Sequence, residues 1–281
     1  MGRRSNTKDL FELAGDPRFI EGIYNYCDRW CERCPLTARC LLFAQEQADD
    51  NDPEANDINN EAFWEKLKSI FEQTREMVTE MAKEQGIDLD SLDLTEATDR
   101  ERRLHERIES HELSQAAEQY ATLVNQWFDG EYSILEQALV AKEGDLPLVD
   151  FDLREKIERI DDAINIIRWY QFQIAVKTMR GLRRSDIDDE DDTDAEDYDD
   201  SASEQIRQKD SDGSIKVALI GMDRSIAAWG RLKEEFPSSA ATILPMLIHL
   251  EQLRRATEHE FPEARSFVRP GFDDAIGSFV S

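Results

Sequence analysis

Residues 101–128 read ERRLHERIESHELSQAAEQYATLVNQWF. Leu104, Ile108, Ala116, Tyr120, Leu123, Val124 and Trp127 recur at steps of three and four, the spacing that stacks side chains on one face of an α-helix. A half-buried strand would need alternation at every second residue and would end after about six. Asp129-Gly130 supplies a stop.

The same rhythm returns on both sides of this stretch. Phe63, Leu67, Ile70, Phe71, Met77 and Met81 form a run that Asn59 or Asn60 can cap and Gly86 can end. Arg154 to Leu182 carries Ile157, Ile160, Ile164, Ile167, Phe172, Ile174 and Met179 as core positions. Residues 215–222, IKVALIGM, are dense in strand-forming residues, yet Met222, Ile226, Trp229 and Leu232 continue a helical period beyond them, so Ile215 to Phe236 reads as helix. Ala241 to Phe261 follows as a last helix, with shorter ones predicted at Asp9 to Leu13 and around Tyr132 to Ala141. No stretch alternates strictly and no strand-helix-strand repeat occurs. The sequence therefore predicts an all-α protein, a multi-helix bundle of about six to eight helices.

Composition divides the chain into parts. Residues 1–46 form N-terminal helices packed on the bundle, and residues 47–60 are a polar loop interrupted by Pro53. Residues 60–185 supply the bundle core. Residues 186–214 read as an acidic, disordered linker with too few apolar groups to offset the entropy of ordering. Residues 215–281 form a helical hairpin docking on the same core, because two helices alone bury too little.

The formal charge of −28 comes from 62 acidic against 34 basic side chains. Eleven acids lie between Asp186 and Asp200, and without them 51 still face 34, so the whole surface is acidic. Such a surface repels a nucleic-acid backbone. Twenty-four arginines against ten lysines, with abundant acids, is a halophilic-like composition suited to a high-salt cytoplasm. The opening MGRRSNTKDLFELAGD lacks the apolar segment of a secretory signal, and no run approaches the roughly 18 apolar residues of a membrane span. The expectation is a soluble cytoplasmic protein that meets no nucleic acid and no membrane. A protein partner or a homodimer remains open, with counter-cations gathered on the acidic surface.

The sharpest chemical signal is YCDRWCERCPLTARC, residues 26–40, which holds all four cysteines of the chain in the pattern C-x3-C-x2-C-x5-C. Phe19, Ile23, Tyr26 and Trp30 share one helical spacing, and on such a helix Cys27, Cys31 and Cys34 would fall within an arc of about 60°. Pro35 then turns the chain. With Thr37 as cap, Cys40 would sit in the first turn of the next helix, where the positive end favours a thiolate. A reducing compartment and four-residue helical spacing both disfavour disulfides. Four thiolates make a closed, structural zinc site. A [4Fe-4S] cluster also takes four, and Cys34-Pro35 matches the Cys-Pro pair of ferredoxins. The first three cysteines have the spacing of the radical SAM enzymes, but this chain lacks a barrel pattern and adds a fourth thiol, which argues against that family. Arg29, Arg33 and Arg39, beside Asp28 and Glu32, can offset thiolate charge.

The histidines offer less. A ferritin-type dimetal site needs Glu three residues before His, whereas Arg102, Ile108, Met246 and Ala256 precede His105, His111, His249 and His259 by three. His105, with Glu101 and Glu109, reads as a solvated face. His259 lies near a helix end. His111 continues the Leu104-Ile108 stripe and His249 lies within ILPMLIHL; a metalloenzyme site requires that these two face one another beside Glu112 or Glu251. Phosphate-binding loops, dinucleotide fingerprints and nucleophile elbows are absent, and DIDDEDDTDAEDYDD lacks the glycine and terminal glutamate of a calcium loop. The sequence thus points to a helical interaction or scaffold protein stapled by one structural zinc at Cys27, Cys31, Cys34 and Cys40. Its alternatives are an iron-sulfur protein for electron transfer or sensing, and a bundle metalloenzyme using His111 and His249.

Overall fold

The computed structural model of the chain describes residues 15–49, 57–132, 151–185 and 200–273. Among them are seven α-helices and no strand: α1 (Leu41–Asp49), α2 (Glu61–Glu84), α3 (Thr95–Ser110), α4 (Glu112–Trp127), α5 (Phe151–Ser185), α6 (Asp200–Glu235) and α7 (Ala240–Glu260). None of these helices is long and apolar enough to cross a membrane. The short helix expected at Asp9 to Leu13, most of the one at Tyr132 to Ala141, and residues 186–199 of the acidic linker lie outside the described residues.

Local chemistry sets the helix ends. Asn60 caps α2, its side-chain oxygen accepting the Ala62 N–H at 3.0 Å. At the far end Gly86 adopts φ +70°, and the Ile87 N–H returns to the Ala82 carbonyl at 2.8 Å. The stretch 101–128 is not one helix. His111 is extended at φ −67°, ψ 138°, and its Nδ1 accepts the Leu113 N–H at 3.2 Å, so the imidazole caps α4 and divides it from α3.

The chain forms two compact units, residues 1–24 with 31–102, and residues 25–30 with 103–281. In the second unit α4, α5, α6 and α7 pack in a closed ring, each against two neighbours. Tyr120, Ile160, Ile167, Tyr170, Ile174, Leu219, Met222, Trp229, Leu232 and Leu250 fill its centre. Each such side chain contributes about 1.5–3 kcal/mol on burial. At this centre Trp229 Nε1 donates to the Tyr120 hydroxyl at 3.0 Å, while Trp127 meets Trp229 edge to face at 4.9 Å. Burial pushes the Tyr120 phenol up to about 12, so its proton stays in place. Phe172, expected in the core, is 54% exposed, because the buried face of α5 follows Ile160, Ile164, Ile167 and Ile174.

Helix α6 begins at Asp200, so residues 200–214, expected in the disordered linker, are helical. Ser211, Asp212, Gly213 and Ser214 are buried. The composition misleads because small residues here serve close approach. Ser211 Oγ donates to the Gly181 carbonyl at 2.9 Å. A Cβ on Gly181 would stand 2.4 Å from Ile215, and one on Gly213 would stand 2.4 Å from the Tyr26 ring and 2.9 Å from Phe267. Tyr26 and Phe267 themselves pack edge to face at 4.8 Å.

One substitution at two sites of α6 separates packing from helix propensity. Gly230 has open space where a Cβ would go, so Gly230→Ala is expected to stabilise by up to about 1 kcal/mol. Gly213→Ala gains the same propensity but forces the Tyr26 and Phe267 rings aside, and is expected to lose about 1–2 kcal/mol net. Denaturant midpoints of the two variants check the opposite signs.

Candidate functional site

The cysteine segment is not helical in the expected way. The chain takes a 3-10 turn at Ile23–Tyr26, another at Cys31–Arg33 and a third at Thr37–Arg39. Gly22 and Arg29 have φ of 69° and 58°. These left-handed residues break any continuous helix, so Cys27, Cys31 and Cys34 do not share a helical face. Cys40 is extended at φ −105°, ψ 114° and precedes α1, accepting the Ala44 N–H on its carbonyl at 3.1 Å; it does not lie in the helix's first turn as expected.

No disulfide joins the four cysteines, and each is half-buried. Cys27 belongs to the second compact unit, and Cys31, Cys34 and Cys40 to the first. Two sulfurs sit in similar turns: the Leu36 N–H points at Cys34 Sγ at 3.4 Å, and the Arg29 N–H donates to Cys27, so in each the amide two residues on faces the sulfur. Burial pushes the Cys27 thiol up, with the Arg29 amide and the Lys177 ammonium opposing it. Lys177 is itself buried, and this desolvation, followed by repulsion from Arg180, pulls its ammonium below the ordinary lysine range. In the first unit the Ile20 N–H donates to the Arg39 carbonyl at 3.0 Å, joining the chain before the cysteine stretch to the chain beside Cys40.

Between Cys27 and Cys31 the backbone is fixed by a clamp. Asp28 Oδ2 accepts from Arg224 Nη1 at 2.7 Å and from the Tyr170 hydroxyl. Its carbonyl accepts Trp169 Nε1 at 2.9 Å and the Gln173 amide. Its Oδ1 accepts the Trp30 N–H at 3.2 Å, which ties off the turn at Arg29. Trp30 then stacks on Trp169, ring centroids 5.0 Å apart and 15° from parallel. Burial first, and the adjoining Asp28 carboxylate next, push the Tyr170 phenol far above its usual range, so it remains a donor to that carboxylate.

His111 and His249 do line one open cleft of 660 Å³, with His259, Glu112 and Glu260. Their nitrogens are largely spent on structure. His111 receives the Leu113 amide on Nδ1 and faces Glu260 Oε1 from Nε2 at 3.5 Å, while His249 Nε2 holds the Ala116 carbonyl at 2.7 Å. Glu251, one of the expected carboxylate partners, is instead held by Arg254 at 2.8 Å and Arg255 at 2.7 Å. Ser110, the one hydroxyl residue of the lining, donates to the Arg107 carbonyl at 3.0 Å. That hydroxyl is thus bonded to backbone and not to either imidazole. His105 pairs with Glu109 at 3.1 Å on an exposed face. Among the described residues, no three His, Cys, Asp or Glu side chains are grouped to hold a metal ion.

No family model, curated protein or solved structure matches the chain.

Replacing Asp28 tests the clamp. Asp28→Ala leaves Tyr170 and Arg224 without their carboxylate and is expected to lose about 1.5–3 kcal/mol, the scale of hydrogen bonds to a charged group. Hydrogen exchange should accelerate at residues 25–30 while the amides of α5 and α6 stay protected.

Proposed function

We propose that Cys27, Cys31, Cys34 and Cys40 together hold one structural zinc, and that the protein serves as a metal-stapled helical interaction or scaffold protein. The observation that carries the reading is the pair of matching turns in which the Arg29 and Leu36 amides face the sulfurs of Cys27 and Cys34. The Arg29 amide lowers the cost of ionising Cys27, and every sulfur must be ionised to ligate. The Lys177 ammonium near Cys27 adds charge compensation where burial works against the thiolate. Metal binding would order the segment as it closes the ligand set, and the binding energy becomes folding energy. The acidic, arginine-rich composition fits a cytoplasmic location at high salt.

Protein purified without oxygen should carry one zinc per chain and be colourless. Each single Cys→Ser substitution should abolish stoichiometric metal and loosen residues 20–45, leaving α4 to α7 folded. A brown protein with four irons and inorganic sulfide would move the assignment to a [4Fe-4S] cluster with a role in electron transfer or sensing. Metal-free protein whose four thiols all titrate freely in the folded state rejects both.

A further inference from the structure

Helix α2 has one buried residue in twenty-four, Ala82. Trp64 is 53% exposed, Phe71 66% and Met81 54%, with Ile70, Met77 and Val78 also open to solvent. Among the described residues beyond Gly86, Ile87 and Leu89 line a groove with Thr79, Glu80, Ala82 and Lys83. The exposed face is ordered. Phe63, Leu67, Ile70, Thr74, Met77 and Met81 alternate at four and three residues, the a and d positions of three heptads, and Trp64, Phe71 and Val78 fill every following e position. Thr74, the single polar member, donates its hydroxyl to the Ile70 carbonyl at 2.8 Å, so its hydrogen bond is already made within the helix.

We propose that this face pairs antiparallel with α2 of a second copy of the chain. The pattern is self-complementary under a two-fold axis, as an isologous interface requires. In that register Leu67 lies opposite Met77 of the second copy, Ile70 opposite Thr74, and Phe63 opposite Met81. Phe71 meets its own mate at the axis, and Trp64 meets Val78. On the other flank the g positions bring Lys66 beside Glu80 of the second copy, twice, with Gln73 against Gln73 between them. A parallel pair has no such match, because it sets the lysine and glutamate of the g positions against apolar e positions. The charges therefore select the antiparallel pair, and the pairing does not depend on the cysteines holding a metal.

The test is sedimentation of the full chain over a concentration series, at about 0.15 M and about 1 M salt. A concentration-dependent dimer is expected. Phe71→Glu places two carboxylates at the axis and should weaken it by roughly a hundredfold or more. Lys66→Glu should weaken it about tenfold at the lower salt, the scale of two exposed ion pairs lost and two repulsions gained. Adding Glu80→Lys to Lys66→Glu should restore the affinity, since the reversed charges meet again. Circular dichroism checks that each variant keeps its helix content. A monomer at both salts, a dimer indifferent to Phe71→Glu, or a charge reversal without rescue overturns the proposal.

Discussion

The close approach of α5 and α6 positions much of the second unit. Two long helices can come this near only where side chains are small or absent, and Gly181, Ser211 and Gly221 provide that. A Cβ on Gly221 would stand 2.9 Å from the Tyr170 ring. Tyr170 therefore rests on a backbone surface, with its hydroxyl directed to Asp28. Gly213 offers a similar surface to Tyr26, one residue before Cys27. The bundle and the turn that carries the first thiol thus meet through glycine contacts rather than through any special chemistry of the cysteines.

That turn is held against its own preference. A non-glycine residue at φ 58°, as at Arg29, carries strain of about 1–3 kcal/mol and persists only when its surroundings over-determine it. The surroundings here are the five donors on Asp28 and the Trp30-Trp169 stack. Within the same turn the Arg29 N–H donates to Cys27. Lys177 completes the arrangement: its ammonium lies near the same sulfur and donates to the Asn25 carbonyl at 3.4 Å.

The helical class was legible because long amphipathic periods survive local error. Leu104, Ile108, Tyr120, Val124 and Trp127 are all buried although the helical stripe they share breaks between Ile108 and Tyr120. His111 hid the break, since histidine is not a usual capping residue and its imidazole continued the apolar stripe in projection. The α6 start was hidden for a different reason. Linker composition and close-packed helix composition are both poor in large side chains, and only the partner surface distinguishes them. At the cysteines, spacing alone selected a helix, whereas Gly22, Arg29 and Pro35 decided otherwise. The clamp could not have been read at all, since Tyr170 and Arg224 lie 142 and 196 residues from Asp28. The face of α2 was legible as apolar, but a period shows only that a face is to be covered, not by what.

Charge determines how the remaining contacts behave. Arginines of α7 and of the 3-10 turn at Ala264–Ser266 act in a network: Arg254 holds Glu251 at 2.8 Å and Glu258 at 3.1 Å, and Arg265 joins Glu258 at 2.7 Å to Asp223 of α6 at 2.6 Å. Guanidinium forks suit this linking better than ammonium groups, which gives the arginine excess a structural use. Short, partly buried pairs of this kind are screened less by salt than charges spread over the surface. The repulsion between two chains of formal charge −28 is long-ranged, and it shrinks as the screening length falls from about 10 Å at 0.1 M to about 3 Å at 1 M. Salt therefore acts in opposite senses on the α2 pair: it weakens the Lys66-Glu80 contacts and removes the larger repulsion between the two bodies. Burial of the apolar seam of Leu67, Ile70, Phe71 and Met77 is then opposed by little, so association should strengthen as ionic strength rises.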